Sequence, residues 1–376
     1  MKVIINAKII TDGKIIEGYN LFFNQKIIRI TQDLPICEDI IDAKGAYLSA
    51  GFIDIHIHGS SGADVMDGTP EALEIISHSL LQTGTTSFLA TTMTVSSDDI
   101  NKALSNIQRN IDSVDGAKIL GVHLEGPFIN PTKYGAQNPK YIQKPNFEMI
   151  KEYIDIIKLI TLAPEVEGGK EFIKFLQKEY PHIILSIGHS NASYNQSIES
   201  FDWGISHATH LFNAMNPLHH REPGIVGAVL GDSSISCEII ADNIHIHPSF
   251  YNLIYKLKQE QLLLITDAMR AGCMKCGEYS LGGQKVIVKN GEARLVNGTL
   301  AGSVLRFNKA LRNVYKYSDI ELPQLIKMVT EIPAKKLGVK LGILREDYPA
   351  DIVIFDKEFN IIQVFIDGKL KFNENK

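Results

Sequence analysis

The stretch FIDIHIHGSSGADVMDGTPEALEIISHSLLQTGTTSFLATT, residues 52–92, is the part of the sequence that decides the fold. It begins and ends with short apolar runs, FIDIHIH (52–58) and TSFLATT (86–92), whose length is typical of buried strands. Between them, residues 70–84 carry apolar side chains at spacings of three and four, which is the period of an amphipathic helix. This order predicts two parallel strands joined by a helix.

The same alternation continues from about Gly51 to Tyr317. Further helix-like stretches occupy residues 97–111 and 249–261. Six more strand candidates lie at 119–125, 158–164, 183–189, 205–212, 237–245 and 262–268. With the first two they make eight repeats, which predicts an α/β fold of the (β/α)8 TIM-barrel type.

Both ends of the chain have a different pattern. Residues 1–48 and 351–372 alternate apolar and polar side chains, which predicts antiparallel strands. Neither end is apolar enough to form a core alone, so we expect them to pair as one small flanking β-sandwich domain. Asn-Gly turns at Asn290 and Asn297 predict a β-hairpin insertion near 273–300. The predicted domains are residues 1–50 (small β domain), 51–340 (catalytic barrel) and 341–376 (the rest of the small domain).

The composition excludes several classes of protein. The 376 residues are 44% hydrophobic and 22% charged, which is the balance of an ordinary globular protein. A formal net charge of -5 gives no reason to expect nucleic-acid binding, which usually needs a basic face. No apolar run approaches the ~20 residues of a membrane span, and the opening MKVIINAKIITDGK is too polar for a signal peptide. We therefore expect a cytoplasmic protein without nucleic-acid or membrane partners.

Four cysteines, Cys37, Cys237, Cys273 and Cys276, are too few and too scattered for a disulfide scaffold. Cys273 and Cys276 form a CxxC pair, which without a second pair is only a weak metal or redox signal. An incidental pair of loop residues is the better explanation.

Polar side chains recur where the predicted barrel strands end. They are His56 and His58 (first strand), Glu125 (third), His189 (fifth), His210 (sixth), His245 (seventh) and Asp267 (eighth). The carboxyl ends of barrel strands converge on one face, where active sites form. Buried polar groups are costly without partners, and a metal ion would satisfy these groups together.

Each of these residues alone has an ordinary explanation. A strand HxH can be a solvated pair, a strand-end carboxylate can cap a helix, and a single histidine can be a core residue. His56 and His58 are two positions apart, so on a strand both rings face the same side and can bind one ion. The combination on one predicted rim therefore favours a metal site, with His123 and His207 assigned to packing or supporting roles.

Asp267 and His245 suit the chemistry expected beside a metal. A divalent ion lowers the pKa of bound water towards ~7, and a nearby carboxylate such as Asp267 can take the proton and return it to a leaving group. His245 is placed to donate a hydrogen bond to an oxygen that gains negative charge. The pattern therefore predicts a metal-dependent hydrolase.

Several segments resemble the N-acetylglucosamine-6-phosphate deacetylases, a family of the amidohydrolase superfamily. The matching segments run along nearly the whole chain and include HLEGPF (123–128), HLFNAM (210–215), REPG (221–224), TDAM (266–269) and LAGS (300–303). The resemblance implies hydrolysis of the N-acetyl group of N-acetyl-D-glucosamine 6-phosphate, giving D-glucosamine 6-phosphate and acetate. It also implies Asp267 as the catalytic acid and base and His245 as the residue that polarises the acetyl carbonyl.

The resemblance further implies the ligands of the metal and the contacts of the sugar. Glu125, His189 and His210 would hold one divalent ion, and His56 and His58 a possible second, with Glu125 bridging; the donors suit Zn, Fe, Co or Mn alike. The family is expected to act as a homodimer on a phosphorylated amino sugar. Its substrate-binding residues fall on Ala136, Asn213, Ala214, Arg221, His245, Leu300, Ala301 and Gly302.

The sequence departs from the family pattern at two places near these contacts. Many relatives have His where this chain has Gln137, and Asp-Gly where it has Asp242 and Asn243. The family pattern therefore does not determine the sugar contacts at these positions. Two other functions are alternatives. A dihydroorotase-like or D-aminoacylase-like amidohydrolase would act on another amide, although cyclic-amide members bridge two metals with a carboxylated lysine where this chain offers Glu125. A non-catalytic scaffold of the same fold would have lost ligands that this chain keeps.

Overall fold

The computed structural model of the chain describes residues 1–33 and 39–374, so Cys37 lies outside the described part. Short strands dominate the first fifty residues, as their alternating pattern predicts. They are β1 (Lys2–Ile5), β2 (Lys8–Thr11), β3 (Lys14–Ile16), β4 (Asn20–Phe23), β5 (Ile27–Thr31), β6 (Asp39–Asp42) and β7 (Tyr47–Ala50).

The pairing of these strands differs in part from the expected antiparallel arrangement. β1 pairs antiparallel with β4 but parallel with β6, and β2 pairs parallel with β7. A tight turn forces antiparallel pairing only on strands that follow each other directly. Because β1 and β6 are separated by four strands, the chain can return in either direction.

The next strands build the barrel. They are β8 (Phe52–Ile57), β9 (Gly59–Ser60), β10 (Ala63–Asp64), β11 (Thr85–Thr91), β12 (Lys118–Glu125), β13 (Ile157–Leu162), β14 (Ile184–Ile187), β15 (Ile205–Ala208), β16 (Ser236–Ile240) and β17 (Leu262–Ile265). Apart from the β9–β10 hairpin, they form one parallel eight-stranded sheet in chain order. Its edges meet where Asp267 N–H donates to His56 O and His58 N–H to Ala268 O, both at 2.9 Å. The predicted (β/α)8 architecture is confirmed.

Helices connect most of the barrel strands, and the bounds of the first, second and sixth agree closely with the predicted periodic stretches. They are α1 (Pro70–Leu81), α2 (Ser97–Asn110), α3 (Gly169–Glu179), α4 (Tyr194–Trp203), α5 (Gly224–Gly231), α6 (Phe250–Lys258), α7 (Phe307–Tyr317), α8 (Leu322–Lys327) and α9 (Glu331–Leu337). Among the residues described, none of the helices has both the length and the apolar character to traverse a bilayer.

Local side chains fix where several helices begin. Thr69 accepts a hydrogen bond from Ala72 N before α1, and Ser96 accepts one from Asp99 N before α2. Ser193 and Gln196 form a reciprocal capping box at the start of α4. Each cap satisfies a backbone N–H that has no partner inside its helix, which defines the strand-to-helix loops at the carboxyl face of the barrel.

The third repeat departs from a simple strand–helix alternation. Three 3₁₀ turns, Pro139–Tyr141, Phe147–Met149 and Lys151–Tyr153, stand between β12 and β13 in place of an α-helix. The long loop that precedes them carries Ala136 and Gln137 to the mouth of the barrel.

Several strands end earlier than predicted. β14, β15 and β17 stop two residues before His189, His210 and Asp267, whose φ angles are +48°, +30° and +48°. A strand cannot continue through a left-handed residue, so the backbone turns at each of these positions. Left-handed non-glycine residues are costly and cluster at functional sites, where neighbouring structure holds them in place.

The chain after the barrel adds small sheets. The strands are β18 (Gly277–Leu281), β19 (Gln284–Lys289), β20 (Glu292–Leu295), β21 (Ile352–Phe355), β22 (Ile361–Ile366) and β23 (Lys369–Asn373). β18 to β20 form the antiparallel insertion, with the predicted two-residue turn at Asn290 and Gly291, whose φ angles are +53° and +82°.

The two ends of the chain form a sandwich, as predicted. One sheet has the order β5-β4-β1-β6, and the other, β23-β22-β21-β7-β2-β3, joins C-terminal to N-terminal strands. Phe23 of the first sheet packs edge-on against Phe365 of the second, with ring centroids 5.5 Å apart. Val353 and Phe355 instead belong to the core cluster that includes the barrel strands, so the six-stranded sheet attaches the sandwich to the barrel. The domain boundaries at 50/51 and 340/341 stay a prediction.

Gly84 lies between α1 and β11 and packs closely against the side chain of Phe52. Its replacement tests this packing. Gly84 has φ +83°, and a Cβ would lie 2.5 Å from Cε2 of Phe52. Gly84→Ala is expected to lower the free energy of unfolding by about 2–5 kcal/mol, from left-handed strain and overpacking together. Gly45→Ala, at φ +81° with nothing within 4 Å, carries the strain alone and should cost about 1–2 kcal/mol. Urea unfolding curves compare the two, and equal losses would contradict the packing argument.

Candidate active site

The carboxylate of Glu125 lies at the centre of the polar side chains at the barrel mouth. Its Oε1 is 3.2 Å from Nε2 of His189 and 3.1 Å from Nε2 of His210. Those two nitrogens are themselves 3.1 Å apart. All three side chains are buried, and their ligand atoms form a group that could hold a metal ion.

A second group adjoins the first through the same carboxylate. Oε2 of Glu125 lies 3.2 Å from Nε2 of His58, and Oε1 lies 3.5 Å from Nε2 of His56. Oδ1 of Asp267 is 3.3 Å from Nε2 of His58 and 3.5 Å from that of His56. His56, His58 and Glu125 form the second group that could hold a metal ion. The structure thus brings together all five predicted metal-ligating residues, with the predicted catalytic Asp267 beside them.

The protonation pattern of His189 indicates what this site binds. Its Nδ1 lies 2.9 Å from the carbonyl oxygen of Lys133, which can only accept, so Nδ1 carries the proton. In the neutral ring, Nε2 then presents a lone pair towards the Glu125 oxygen and the His210 nitrogen. Facing lone pairs repel each other, and a cation between them turns the repulsion into coordination. Tetrahedral ligands at ~2.0–2.1 Å from an ion are about 3.3 Å apart, close to the spacing found here.

The carboxylates around His56 and His58 also favour the binding of a cation. Burial lowers the pKa of His56, but Asp267, Glu125 and Glu238 outweigh it and raise this pKa to about 9. The pKa of His58 is also raised well above its ordinary value, because Asp267 and Glu125 outweigh burial. The carboxylates therefore favour positive charge at this position, and a metal ion would bind in competition with protons.

His245 is held by a carboxylate that is close in sequence. Its Nδ1 lies 2.7 Å from Oδ2 of Asp242, and its backbone N–H donates to Oδ1 of the same residue at 2.8 Å. Burial lowers the pKa of His245, but the hydrogen bond and charge of Asp242 outweigh it, so the pKa is raised. β16 ends at Ile240, so His245 lies in the following loop and not, as predicted, at the end of the strand.

Gln137 supports Glu125 directly. Its Nε2 donates to Oε2 of Glu125 at 2.7 Å, and its Oε1 accepts from Thr94 N at 2.7 Å. Both hydrogen bonds are buried. At this departure from the family pattern, the amide therefore orients the central carboxylate.

The metal-binding groups open into a cavity of about 350 Å³, within the usual range for small-molecule sites. Its walls include most of the residues predicted to contact the sugar, namely Ala136, Asn213, Ala214, His245, Leu300 and Gly302. Ala301 is fully buried beside them. Arg221 lies instead in an exposed segment, with Nη1 2.8 Å from Nε2 of His220, and is not among the described residues that line this cavity. Its role stays a prediction.

Sequence reasoning missed three contributors to the site. Asp242 holds His245, Arg294 from β20 lines the cavity, and Glu238 of β16 contacts His56. A signal existed for two of them: Asp242 precedes His245 by three residues, and Glu238 is a lone acid in an apolar strand. Cys273 and Cys276 are unpaired thiols, and neither belongs to a metal-binding group within the described ranges.

A parallel β/α barrel with histidine and carboxylate groups gathered at its carboxyl face defines a class of metal-dependent hydrolases. The sequence pattern of the Amidohydrolase family matches residues 47–371, and the chain belongs to that family.

Individual relatives are similar over almost the whole chain. An N-acetylglucosamine-6-phosphate deacetylase of Lysinibacillus sphaericus is 42% identical, covering 90% of this chain and 88% of the relative. An N-acetylgalactosamine-6-phosphate deacetylase of Escherichia coli O157:H7 is 34% identical, covering 96% and 97%. The crystal structure of N-acetylglucosamine-6-phosphate deacetylase from Pasteurella multocida superimposes with a TM-score of 0.94 at 32% identity, covering 99% of this chain and all of that one.

Proposed function

We propose that the protein hydrolyses the N-acetyl group of N-acetyl-D-glucosamine 6-phosphate, giving D-glucosamine 6-phosphate and acetate. The observation that carries this proposal is the meeting of Glu125, His189 and His210 with Asp267 at the wall of one cavity. The named relatives, which are deacetylases of phosphorylated amino sugars, support the choice of substrate.

Asp267 is the residue that moves the proton. Glu125, His189 and His210 would hold a divalent cation, and when bound it would supply Lewis acidity to water and to the acetyl carbonyl. Burial raises the pKa of Asp267, but His56 and His58 outweigh it and keep this pKa below its ordinary value. Asp267 is therefore ionised at neutral pH, takes the proton of the attacking water, and returns it to the departing amine nitrogen.

His245 stabilises the oxygen on which negative charge develops. Because Nδ1 donates to Asp242, Nε2 can donate to the substrate only when the ring carries both protons. The raised pKa favours this imidazolium form. A charged donor is stronger than a neutral one, so Asp242 contributes to catalysis through His245.

Asp242→Asn tests this protonation. His245 is charged below its pKa and loses the charge as the pH rises through that value. Without the Asp242 carboxylate the pKa falls, so we expect the alkaline decline of kcat to move to lower pH while cation content is unchanged. The pH profile of acetate release for both proteins is the measurement. An alkaline limb at the same pH in the two proteins would contradict the imidazolium role.

The function itself is tested by acetate release from N-acetylglucosamine 6-phosphate with and without a chelator. We expect activity that the chelator abolishes and added cation restores. The sugar lacking phosphate and N-acetylgalactosamine 6-phosphate are the comparison substrates, the latter because of the Escherichia coli relative. Preference for an unphosphorylated or cyclic amide would favour a different amidohydrolase activity, and no cation-dependent hydrolysis at all would favour a scaffold.

Further properties belong to the same proposal. The site holds one or two ions of Zn, Fe, Co or Mn, since imidazole and carboxylate suit each of them. The enzyme is a cytoplasmic homodimer; its phosphorylated substrate is ionic and does not pass through a bilayer unaided. Metal analysis and light scattering of the purified protein test the ion and the dimer.

A further inference from the structure

Glu238 is a buried carboxylate that the proposed reaction does not use. It lies on β16 inside the barrel, and its side chain is fully buried. A buried charge is costly unless it is paired, so its partners indicate what it does.

Glu238 contacts both groups that could hold a cation. Its Oε2 lies 3.0 Å from Nδ1 of His56 and accepts from the backbone N–H of His210 at 3.1 Å. Its Oε1 lies 3.1 Å from Nε2 of His207. His56 belongs to one group and His210 to the other. The Glu238 carboxylate therefore contacts one residue of each cation-binding group.

The contact with His56 determines which ring nitrogen faces the site. An ionised carboxylate can only accept, so Nδ1 of His56 carries a proton. When the ring is neutral, Nε2 then has a free lone pair, 3.5 Å from Oε1 of Glu125 and 3.5 Å from Oδ1 of Asp267. This buried Nε2 has no hydrogen-bond partner in residues 1–33 and 39–374. In this neutral form Nε2 can bind a cation, and it faces two carboxylates.

We propose that Glu238 is a positioning residue, which fixes the tautomer and orientation of His56 and thereby gives the His56–His58–Glu125 group its affinity for a second cation. The proposal deepens the proposed function and rests on it. Carboxylates that accept from the outer nitrogen of a histidine ligand commonly raise metal affinity 10- to 100-fold.

A purely structural role is the alternative. In that case Glu238 would serve to pair with His207, whose other nitrogen lies 2.7 Å from Oγ of Ser236. His207 belongs to neither cation group in the described part of the chain. Loss of this pairing would lower thermal stability, and cation binding at both groups would change alike.

The experiment titrates chelator-treated full-length protein with Co²⁺ and follows bound cobalt and its visible spectrum. Glu238→Leu removes the acceptor, and Glu238→Asp keeps the charge but shortens the side chain away from His56. Glu238→Gln can place its carbonyl oxygen against His56 and His210 and its amide against His207, so it should restore binding. His58→Ala identifies the spectrum of the site in question.

We expect two Co²⁺ per chain in the unsubstituted protein. The site lost in His58→Ala should weaken 10- to 100-fold in the Leu and Asp variants and less than about tenfold in the Gln variant, with the other site nearly unchanged. If the Leu variant does not fold, the Asp and Gln variants decide. One Co²⁺ in the unsubstituted protein, unchanged binding in the Asp variant, or equal weakening of both sites would overturn the proposal. Co²⁺ is titrated without substrate, so a failure to release acetate would refute the proposed function separately.

Discussion

Asp267→Asn is expected to lower turnover by about 10²–10⁴-fold while the protein keeps its fold and its bound cation. The amide has the size of the carboxylate but cannot take a proton from water. Asp267 is not a member of the Glu125–His189–His210 group, so the cation bound by that group should stay in place. The measurements are kcat for acetate release and metal content of the same sample.

Asp319→Asn is the matched control for this substitution. Asp319 is exposed and accepts a hydrogen bond from Asn252, so the same chemical change there should leave turnover as it is. Turnover of Asp267→Asn equal to that of the control would refute the proton-transfer role. Loss of the cation together with turnover would instead make Asp267 a ligand.

The barrel and the centre of its site could be predicted because both depend on local patterns. Strand-length apolar runs that alternate with amphipathic helices determine a parallel barrel, and a barrel brings the carboxyl ends of its strands to one face. Glu125, His189 and His210 occur at those ends in the sequence, so their meeting follows from the fold without knowledge of any loop.

The partners of those residues could not be predicted in the same way. His56 and Glu238 are 182 positions apart on strands that are separated in chain order, and their 3.0 Å contact depends on how side chains fill the barrel interior. Apolar periodicity assigns Glu238 to a strand but does not identify its partner.

Loops set a further limit on prediction. Phe212 and Ala214 have φ angles of +81° and +51°, values that pattern does not anticipate for such residues, and they redirect the chain before the exposed segment that carries Arg221. The family motif places Arg221 beside the sugar, but a motif does not state which way its loop turns. The parallel pairing of β1 with β6 could not be predicted for a similar reason. It depends on the path of the four strands between them, which no local sequence pattern determines.

Glu125→Gln is expected to have the broadest effect, because both cation-binding groups share this carboxylate. The substitution removes the negative charge that His58, His189 and His210 face, and leaves an amide that competes poorly for a divalent ion. Loss of a direct ligand should exceed the 10- to 100-fold loss typical of a supporting residue, so cation affinity should fall more than about 100-fold.

Turnover of Glu125→Gln should fall with cation occupancy, and an excess of added Co²⁺ should restore part of both. This joint loss distinguishes Glu125 from Asp267, whose substitution should remove turnover but leave the cation bound. Glu171→Gln, an exposed position on α3, supplies the control for the same chemical change. A Glu125→Gln protein that held as much cation as this control, and released acetate as fast, would show that the carboxylate at the barrel mouth is not the shared ligand, and the mechanism built on it would fail.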